Sequence, residues 1–418
     1  MNKLSEYINK FYTDLNGQNI KLGLDRVGKV KELANIKPNF PIVIVGGTNG
    51  KGSVCAFLET IYSKSGYSVG CYTSPHIFKF NERIKVNLEQ VDDKAILKSL
   101  DFIQLSKGSI ELTYFEITTL AAMNIFIDKK IDIAILEVGL GGRLDAVNIF
   151  EPELSIITSV GLDHQDYLGD SIDEIAYQKL GICRPNKNTI INFEKAPPLM
   201  IKELKKQNTL LSILNIDYSF SFDSRGYNYK SKLKSIDGLP MPFLNGNNQL
   251  INLAAAVRAV TLLDKIMPVK PIAIQDGIRD TKLEGRIQII SKRPYILIDV
   301  AHNMDSTRNL FNFFNKSKND GKVYAVFSIL ENKNIDQVLR PFIDIVDEWY
   351  ISEINNSRTQ KIEEITSSIK KYNEQAIINK FDNLGLAYDG ASKKSNLNDN
   401  IVIYGSFFTV SEIMCGVK

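Results

Sequence analysis

A glycine-rich segment directly follows a short apolar run near the start of the chain. Residues 46–53 read Gly-Gly-Thr-Asn-Gly-Lys-Gly-Ser, after Pro-Ile-Val-Ile-Val at 41–45. Glycines let backbone N–H groups approach phosphate oxygens, a helix start adds its positive dipole end, and Lys51 adds a point charge. The spacing departs from GxxxxGK[ST] because Gly52 separates Lys51 from Ser53. A glycine-rich surface turn is the alternative, but the preceding strand-like run and the helix-like 54–63 favour a nucleoside triphosphate site.

Acidic and histidine side chains follow other predicted strands. Glu137 ends the aliphatic run 131–138, where its carboxylate could hold Mg²⁺ beside bound phosphates or simply reach solvent; the phosphate-binding loop favours the metal role. Asp163 and His164 follow the run 154–160 and could join that site or form an ordinary turn. In open parallel sheets ligands bind beyond the carboxyl ends of strands. The three histidines of the chain, His76, His164 and His302, each lie in a loop just after a predicted strand.

Lys179 lies on the apolar face of a predicted helix. A capping box, Ser-Ile-Asp-Glu at 171–174, predicts the start of that helix, and Lys179 follows Ile175 by four residues. Burial lowers the pKa of a lysine, and a neutral amine can react with CO₂ to give a carbamate able to ligate a cation. The alternative is a lysine whose stem is buried while its ammonium reaches water. Helix periodicity alone favours this second interpretation.

The remaining candidate residues have local structural explanations. Thr113 and Glu116 form a second capping box, and residues 21–26 read as a helix entry with a turn glycine. Asp299 ends a predicted strand, where it could hold a ribose hydroxyl or form an Asx-turn. Ser406 follows the last predicted strand at an equivalent place.

The elements that must position these residues are alternating aliphatic strands and amphipathic helices. The aliphatic runs are nearly continuous, which indicates strands buried on both faces of parallel sheets with helices on each side. A polar stretch at 208–247 is expected to be irregular, and a boundary lies near 283–291. We therefore expect an α/β protein with a P-loop-type, mostly parallel ATPase domain at 1–284, a linker at 285–291 and a smaller Rossmann-like domain at 292–418.

Composition excludes several protein classes. The 418 residues are 44% hydrophobic and 24% charged, with a net charge of +3, which is too small to indicate nucleic acid or a membrane surface as partner. The four cysteines are far apart, as expected of free thiols in a reducing compartment. No apolar leader is evident. The sequence predicts a cytoplasmic protein without a membrane or nucleic-acid partner.

Taken together, these segments resemble the folylpolyglutamate synthase family of the Mur ligase superfamily, most of all its bacterial bifunctional dihydrofolate synthase/folylpolyglutamate synthases. The resemblance runs from residues 22–26 to 405–410. The segments that carry it are 47–53, 72–76, 81–84, 112–116, 136–145, 163–164 and 299–303. It implies ATP-dependent ligation of L-glutamate to dihydropteroate and to reduced folates, by a monomer that uses ATP and two Mg²⁺ ions.

The resemblance also implies roles for individual residues. The ATP-binding residues would be Thr48, Asn49, Gly50, Lys51, Gly52, Ser53, Asn252, Arg286 and Asp299. The ligands of Mg²⁺ would be Ser53, Ser74, Glu137 and His164. The substrate-binding residues would be Lys21, Leu22, Gly23, Leu24, Thr113 and Asp145 for the pterin compound, and His302 and Ser406 for glutamate. Lys179 would be the carbamylated lysine of the family, contrary to the interpretation from periodicity, and would be catalytic with Lys51, His164 and His302.

The chemistry that these roles imply passes through an acyl phosphate. A carboxylate attacks the γ-phosphorus of ATP, and the glutamate amine then attacks the acyl carbon. ATP on one domain and glutamate on the other would make domain closure a natural gate against water. The alternatives are a monofunctional folylpolyglutamate synthase, another Mur-type amino-acid ligase, or a GTPase-type switch. A GTPase-type switch would need an Asn-Lys-x-Asp motif to recognise guanine. The nearest candidate in this chain, residues 332–335, reads Asn-Lys-Asn-Ile and lacks the final Asp.

Overall fold

The computed structural model describes residues 3–14 and 21–417, which divide into two compact units. The first unit comprises residues up to 243 together with 249–282, and the second comprises 244–248 and the residues from 283 onward. Each unit has its own main sheet, of eight strands in the first and six in the second.

The first unit contains two sheets. Its strands are β1 (Ile42–Gly46), β2 (Val69–Tyr72), β3 (Ile84–Val86), β4 (Glu89–Gln90), β5 (Ile133–Glu137), β6 (Leu154–Ile157), β7 (Asn188–Ile191), β8 (Leu210–Ile213), β9 (Tyr218–Asp223), β10 (Gly226–Ser231) and β11 (Ser235–Leu239). The larger sheet has the order β4-β3-β2-β5-β1-β6-β7-β8. Its neighbours from β2 through β5, β1, β6 and β7 to β8 are parallel, whereas β3 is antiparallel to both β2 and β4. Every residue of β1 and β5 is buried, as expected for central parallel strands.

Ten α-helices accompany these strands among the residues of this unit that the structure describes. They are α1 (Lys3–Asp14), α2 (Asp25–Leu33), α3 (Lys51–Lys64), α4 (Asp93–Ser106), α5 (Tyr114–Asp128), α6 (Gln165–Leu168), α7 (Ile172–Leu180), α8 (Pro198–Lys206), α9 (Asn247–Leu263) and α10 (Pro271–Asp280). Short 3₁₀ helices lie at Phe80–Arg83 and Ala146–Ile149. Capping boxes begin α5 at Thr113 and α7 at Ser171, as their sequences predict.

The prediction of an irregular stretch at 208–247 is wrong. Its first strand, β8, extends the large parallel sheet, and β9, β10 and β11 form a separate antiparallel sheet. In β10 the buried Tyr227 and Tyr229 alternate with Asn228 and Lys230, which are more exposed. A strand with one polar face has a composition close to that of a loop, so its short alternation is easy to miss.

The second unit is a single six-stranded sheet with helices. Its strands are β12 (Gln288–Lys292), β13 (Tyr295–Ile298), β14 (Val323–Phe327), β15 (Glu348–Ile351), β16 (Ile377–Lys380) and β17 (Asn400–Tyr404), and its helices are α11 (Met304–Ser317), α12 (Ile335–Leu339), α13 (Ile362–Tyr372), α14 (Leu384–Lys394) and α15 (Phe407–Val417). The order is β12-β13-β17-β14-β15-β16, all parallel except β12. Strand β12 includes part of the segment predicted as a linker. The predicted fold class, two α/β units with mostly parallel sheets, is confirmed.

Candidate active site

The glycine-rich loop connects β1 to α3, as the sequence predicts, and its turn depends on Gly50. Gly50 precedes the first residue of α3 and has φ +89°, in the left-handed region that favours glycine. A Cβ atom added there would lie 2.5 Å from Oδ1 of Asn252, on α9. Asn252 is buried, and its Nδ2 donates to Oε1 of Gln249 at 3.1 Å. The structure therefore places Asn252, a predicted ATP-binding residue, against the loop.

A second segment braces the loop from β6. The backbone N–H of Thr48 donates to the carbonyl oxygen of Ser159 at 3.0 Å, and the N–H of Asn49 donates to Oγ of Ser159 at 2.8 Å. The Thr48 hydroxyl donates to the carbonyl oxygen of Gly161 at 3.2 Å. These contacts fix the loop, so the donors best placed for phosphate oxygens are the N–H groups of the first turn of α3, which have no acceptor within a helix.

Two lysines from different elements share the neighbourhood of the loop. Lys51 folds back over it, where Nζ donates to the carbonyl oxygens of Gly47 at 3.1 Å and Thr48 at 3.2 Å. Lys179, on α7, is 3% exposed, so its amine does not reach water as periodicity alone suggests. Burial lowers the pKa of Lys179 to about 7; the positive charge of Lys51 lowers it further and the carboxylate of Asp163 opposes the change. A substantial fraction of this amine is therefore neutral near pH 7.

A buried carboxylate lies beside the start of α3. Glu137 ends β5, which pairs with β1, and it is 5% exposed. Its two carboxylate oxygens are 3.7 and 3.9 Å from the place where a Cβ on Gly52 would lie. Oε2 accepts the backbone N–H of Ser74 at 3.1 Å, and Ser53, in the first turn of α3, is 2% exposed. The strand order thus brings Ser53, Ser74 and Glu137 to one edge of the sheet.

The donor set at this edge fits Mg²⁺ rather than a metal held by protein alone. His164 precedes α6 with φ +54°, and its Nε2 lies 4.0 Å from Oδ2 of Asp163. Among residues 3–14 and 21–417, no three His, Cys, Asp or Glu side chains group as metal ligands would. Mg²⁺ usually binds one or two carboxylates together with substrate phosphates and water. The hydroxyl of Ser53 and the carboxylate of Glu137 beside a phosphate-binding loop match that requirement.

The segments predicted to bind the pterin compound meet one another in the structure. The N–H of Gly23 donates to the carbonyl oxygen of Leu144 at 3.3 Å, next to Asp145. Arg26 pairs at 3.0 Å with Glu116, a buried carboxylate whose other oxygen accepts the N–H of Thr113 at 2.7 Å. Because Arg26 also donates to the carbonyl oxygen of Lys21 at 2.7 Å, it connects residues 21–24, which precede α2, to the helix cap at Thr113.

Asp145 has a structural role in addition to its predicted one. Its Oδ2 accepts the N–H of Leu140 at 2.8 Å, and its Oδ1 accepts the N–H of Val147 at 3.0 Å, which caps a 3₁₀ helix. Burial raises the pKa of Asp145 to about 7, although these N–H donors oppose that shift. Both carboxylate oxygens thus hold the turn after β5.

In the second unit, Asp299 and Arg286 surround the end of β13. Oδ2 of Asp299 accepts the N–H of Ile287 and Oδ1 accepts the N–H of Ala301, both at 2.7 Å. Burial raises the pKa of Asp299 to about 6, and the charge of Arg286 opposes the shift. The Arg286 guanidinium lies over the ring of Phe407, 4.7 Å from its centroid, and the His302 ring is 6.1 Å from the same ring. Phe407 therefore contacts one predicted ATP-binding residue and one predicted glutamate-binding residue.

Ser406 lies beside that cluster at the end of β17. It is 3% exposed, and its Oγ is 2.8 Å from Oγ1 of Thr409. The N–H of Gly405 donates to the carbonyl oxygen of Ala301 at 3.0 Å, so the chain just before Ser406 is hydrogen-bonded to the chain just before His302. Strand order thus brings these two predicted glutamate-binding residues to neighbouring strand ends.

Comparison with known proteins assigns the chain to a family. Residues 45–260 match the Mur ligase middle domain and residues 285–407 the Mur ligase glutamate ligase domain. The dihydrofolate synthase/folylpolyglutamate synthase of Escherichia coli is 34% identical over 97% of this chain and 93% of its own length. The corresponding enzyme of Buchnera aphidicola is 36% identical over 97% of this chain and 92% of its own length. The chain belongs to the dihydrofolate synthase/folylpolyglutamate synthase family of Mur ligases.

Solved structures of this family have the same fold. The E. coli FolC in complex with DHPP and ADP superposes with a TM-score of 0.92 at 32% identity, covering 99% of this chain and 97% of that one. A bifunctional folylpolyglutamate synthase/dihydrofolate synthase with Mn, AMPPNP and L-glutamate bound superposes with a TM-score of 0.89 at 32% identity. The superposition covers 98% of each chain. The predicted resemblance and the predicted class, an ATP-dependent ligase, are confirmed, and the GTPase alternative is removed. None of the helices in the described ranges has the length and hydropathy of a transmembrane span.

Sequence reasoning missed several residues that shape the site. Ser159 follows β6 directly, so it could have been found once β6 was placed next to β1. Phe407 follows Ser406 in sequence, and an aromatic residue beside a predicted ligand residue is a usable signal. The pairing of Arg26 with Glu116 joins residues 90 positions apart, and no local pattern signals it.

Proposed function

We propose that this chain joins L-glutamate to dihydropteroate and to reduced folates, using ATP and a divalent cation, with the residue roles set out below. The observation that supports these roles best is Lys179, a buried lysine beside Lys51 whose pKa is lowered to about 7. A neutral amine can attack CO₂; a nitrogen–carbon bond forms, one proton is released, and an anionic carbamate results. A monomeric state and a cytoplasmic location remain predictions from the sequence.

The first unit supplies the groups that phosphoryl transfer requires. A substrate carboxylate must approach a triphosphate of the same charge, and Lys51 with the start of α3 offsets that repulsion. A divalent cation held by Ser53 and Glu137, with Ser74 and His164 nearby, would neutralise charge that develops on the phosphates. We assign Asn252 to the nucleotide because it lies against Gly50. Residues 21–24, Thr113 and Asp145 would bind the pterin compound.

The second unit supplies the groups for the amino acid. Arg286 and Asp299 would bind the nucleotide, and His302 and Ser406 the glutamate. The product of the first step is an acyl phosphate, which water would hydrolyse, so orientation of the amine matters more than the strength of glutamate binding.

The test is ADP release by the purified protein with MgATP, L-glutamate and either dihydropteroate or tetrahydrofolate. We expect turnover with both acceptors and none when glutamate is omitted. Turnover with tetrahydrofolate alone would indicate a monofunctional folylpolyglutamate synthase. Release with neither acceptor would contradict the proposal. Acceptor labelled with ¹⁸O in its carboxyl group should transfer one labelled oxygen to phosphate, because the acyl phosphate retains that oxygen.

A further inference from the structure

Arg286 lies in a turn whose backbone adopts a conformation that most residues avoid. The residue after it, Ile287, has φ +44°, in the left-handed region, and the residue before it, Gly285, has φ +67°. A positive φ is a genuine outlier for a β-branched side chain such as isoleucine. Such strain persists only where the surrounding structure imposes it, and Ile287 is buried, with 2% of its surface exposed. The turn is therefore held in one conformation, and Arg286 projects from a fixed point.

Hydrogen bonds from the end of β13 impose this conformation. The N–H of Ile287 donates to Oδ2 of Asp299 at 2.7 Å, and the N–H of Val300 donates to the carbonyl oxygen of Gly285 at 3.0 Å. The backbone is thus bonded to the end of β13 on both sides of Arg286. Asp299 supports the turn in this way, in addition to the nucleotide contact proposed for it.

The other end of the Arg286 side chain lies over an aromatic ring. The guanidinium carbon is 4.7 Å from the centroid of Phe407, within the roughly 6 Å over which a ring face attracts a cation. Phe407 begins α15, shortly after β17, and β17 pairs in parallel with β13. Strand order therefore brings the ring to the turn. The backbone sets where the Arg286 side chain starts, and the ring sets where its charge lies.

The same ring also packs against His302. The centroids of the two rings are 6.1 Å apart and their planes are inclined by 49°, a spacing within the range of aromatic pairs. Nδ1 of His302 is 2.8 Å from the carbonyl oxygen of Val300, which fixes the imidazole to the backbone. The side chain of Phe407 thus supports both the guanidinium of Arg286 and the imidazole of His302.

We propose that Phe407 is a positioning residue that couples the two ligands assigned to this unit. Its ring holds Arg286 for the nucleotide and His302 for glutamate, and Phe407 acts on both ligands through these two side chains. The inference rests on the proposed function, which assigns the ligands to Arg286 and His302. A nucleotide that fixes Arg286 also fixes the ring on which His302 packs, so each ligand should bind more tightly when the other is present. Such coupling is reciprocal by thermodynamic necessity.

Binding of the ATP analogue AMPPNP with Mg²⁺ tests the contact with Arg286 without any turnover. Phe407→Leu keeps an apolar side chain but removes the ring face, so the Kd for AMPPNP should rise by about 2- to 30-fold, as expected for a lost cation–π contact. Phe407→Tyr keeps the ring and should stay within about twofold of wild type. Phe408→Leu is the matched control, since Phe408 is the next residue and is 36% exposed. Equal losses in Phe407→Leu and Phe407→Tyr would overturn the role of the ring.

A double-mutant cycle distinguishes positioning from a general structural effect. If Phe407 acts on the nucleotide through Arg286, Phe407→Leu should change the Kd for AMPPNP by less than about twofold once Arg286→Ala is already present. Additive losses would mean that Phe407 acts through other contacts, and would overturn the assignment. Circular dichroism checks the fold of each variant, and Phe407→Met gives the same test should the leucine variant fail to fold.

The coupling is measured as the ratio of the Kd values for AMPPNP without and with saturating L-glutamate. We expect a ratio of about five or more in the wild type, the lower end of typical couplings, and a ratio near one in Phe407→Leu. A ratio near one in the wild type, or an unchanged ratio in the variant, would contradict the coupling.

These outcomes are distinguishable from failure of the proposed function. Wild-type protein that binds AMPPNP but releases no ADP with either acceptor would contradict the ligase function. Active wild-type enzyme whose Phe407→Leu variant binds AMPPNP with an unchanged Kd would contradict only the role of Phe407.

Discussion

The carboxyl ends of the two parallel sheets use different means to prepare for a ligand. In the first unit the edge beside β1 gathers buried charges: Lys179 and Glu137, with Lys51 folded over the loop. In the second unit the edge beside β13 and β17 gathers polar groups that bond to nearby backbone atoms, among them His302 and Ser406. The first arrangement suits a polyanion, whose charge must be offset. The second suits a smaller ligand that is recognised through hydrogen bonds.

The two arrangements also differ in what holds them. At the first edge the loop depends on contacts from another strand end, because Thr48 and Asn49 donate to Ser159. At the second edge His302 and Ser406 bond to backbone atoms within a few residues of themselves. We therefore expect substitutions in the first unit to act over longer distances than those in the second, and four predictions test parts of this contrast.

The largest effect is expected at Lys179. Lys179→Ala removes the buried amine and the carbamate proposed for it, and turnover should fall by about 100- to 1,000-fold or more, as when a preorganised charge is lost from an active site. Added bicarbonate should not restore activity, whereas a small carboxylate such as formate should restore part of it. Lys187→Ala is the control, since Lys187 is half-exposed and pairs with Glu153 at the surface. Turnover close to wild type in Lys179→Ala would show that activity does not need a buried charge at this position, and the contrast between the two units would then be wrong.

The second prediction concerns Gly50. Gly50→Ala introduces left-handed strain and a collision with Asn252, whose Oδ1 would lie 2.5 Å from the new Cβ. Gly66→Ala is matched in backbone, with φ +87° against +89°, but has no atom within 4 Å of its Cβ position. Both variants should lose about 1–2 kcal/mol of unfolding free energy. Only Gly50→Ala should also raise KM for ATP, by about tenfold. A similar KM in the two variants would show that Asn252 does not position the loop.

The sequence predicts the first edge better than the second, for a physical reason. The glycine-rich loop is a continuous segment whose strand, turn and helix are adjacent in sequence, so local pattern suffices. Helix periodicity places Lys179 on an apolar face but favours an ammonium that reaches water, so the burial of its amine is seen only in the structure. His302 and Ser406 become neighbours only because β17 lies between β13 and β14, and that strand order is a long-range property of the sheet. The brace from Ser159 depends on strand order in the same way.

The third prediction uses the pKa of Lys179. In the folded protein this pKa is lowered to about 7, against an ordinary 10.5. Between these values the unfolded chain binds more protons, so the free energy of unfolding rises with pH, by up to about 1.4 kcal/mol per pH unit. Below pH 7 both states are protonated and the penalty is constant. Lys179→Met should therefore be more stable than wild type at pH 7, by a margin that shrinks towards pH 10.

Urea unfolding followed by circular dichroism at pH 7, 8 and 9 measures that margin. Buffers free of CO₂ keep the amine unmodified. Asp299→Asn is a useful contrast from the second unit, measured separately between pH 4 and 6. Burial raises the pKa of Asp299 from 3.8 to about 6, so in that range the wild-type free energy of unfolding falls as the pH rises. A margin for Lys179→Met that does not change with pH would mean that the lysine is charged in the folded state.

The smallest effect is expected at Thr113, where a cap and a substrate contact are assigned to one side chain. Its Oγ1 accepts the N–H of Glu116 at 3.3 Å, so Thr113→Ala should cost about 0.5–2 kcal/mol of unfolding free energy, as loss of a helix cap does. Asp92→Ala removes a comparable cap, to the N–H of Ala95 at 2.9 Å, from the neighbouring helix α4. If Thr113 also binds the pterin compound, only its variant will raise KM for dihydropteroate, by several-fold, and Thr113→Ser will restore the cap. Equal stability losses with no change in KM would reduce Thr113 to a cap, and the pterin site would then depend on residues 21–24 and Asp145.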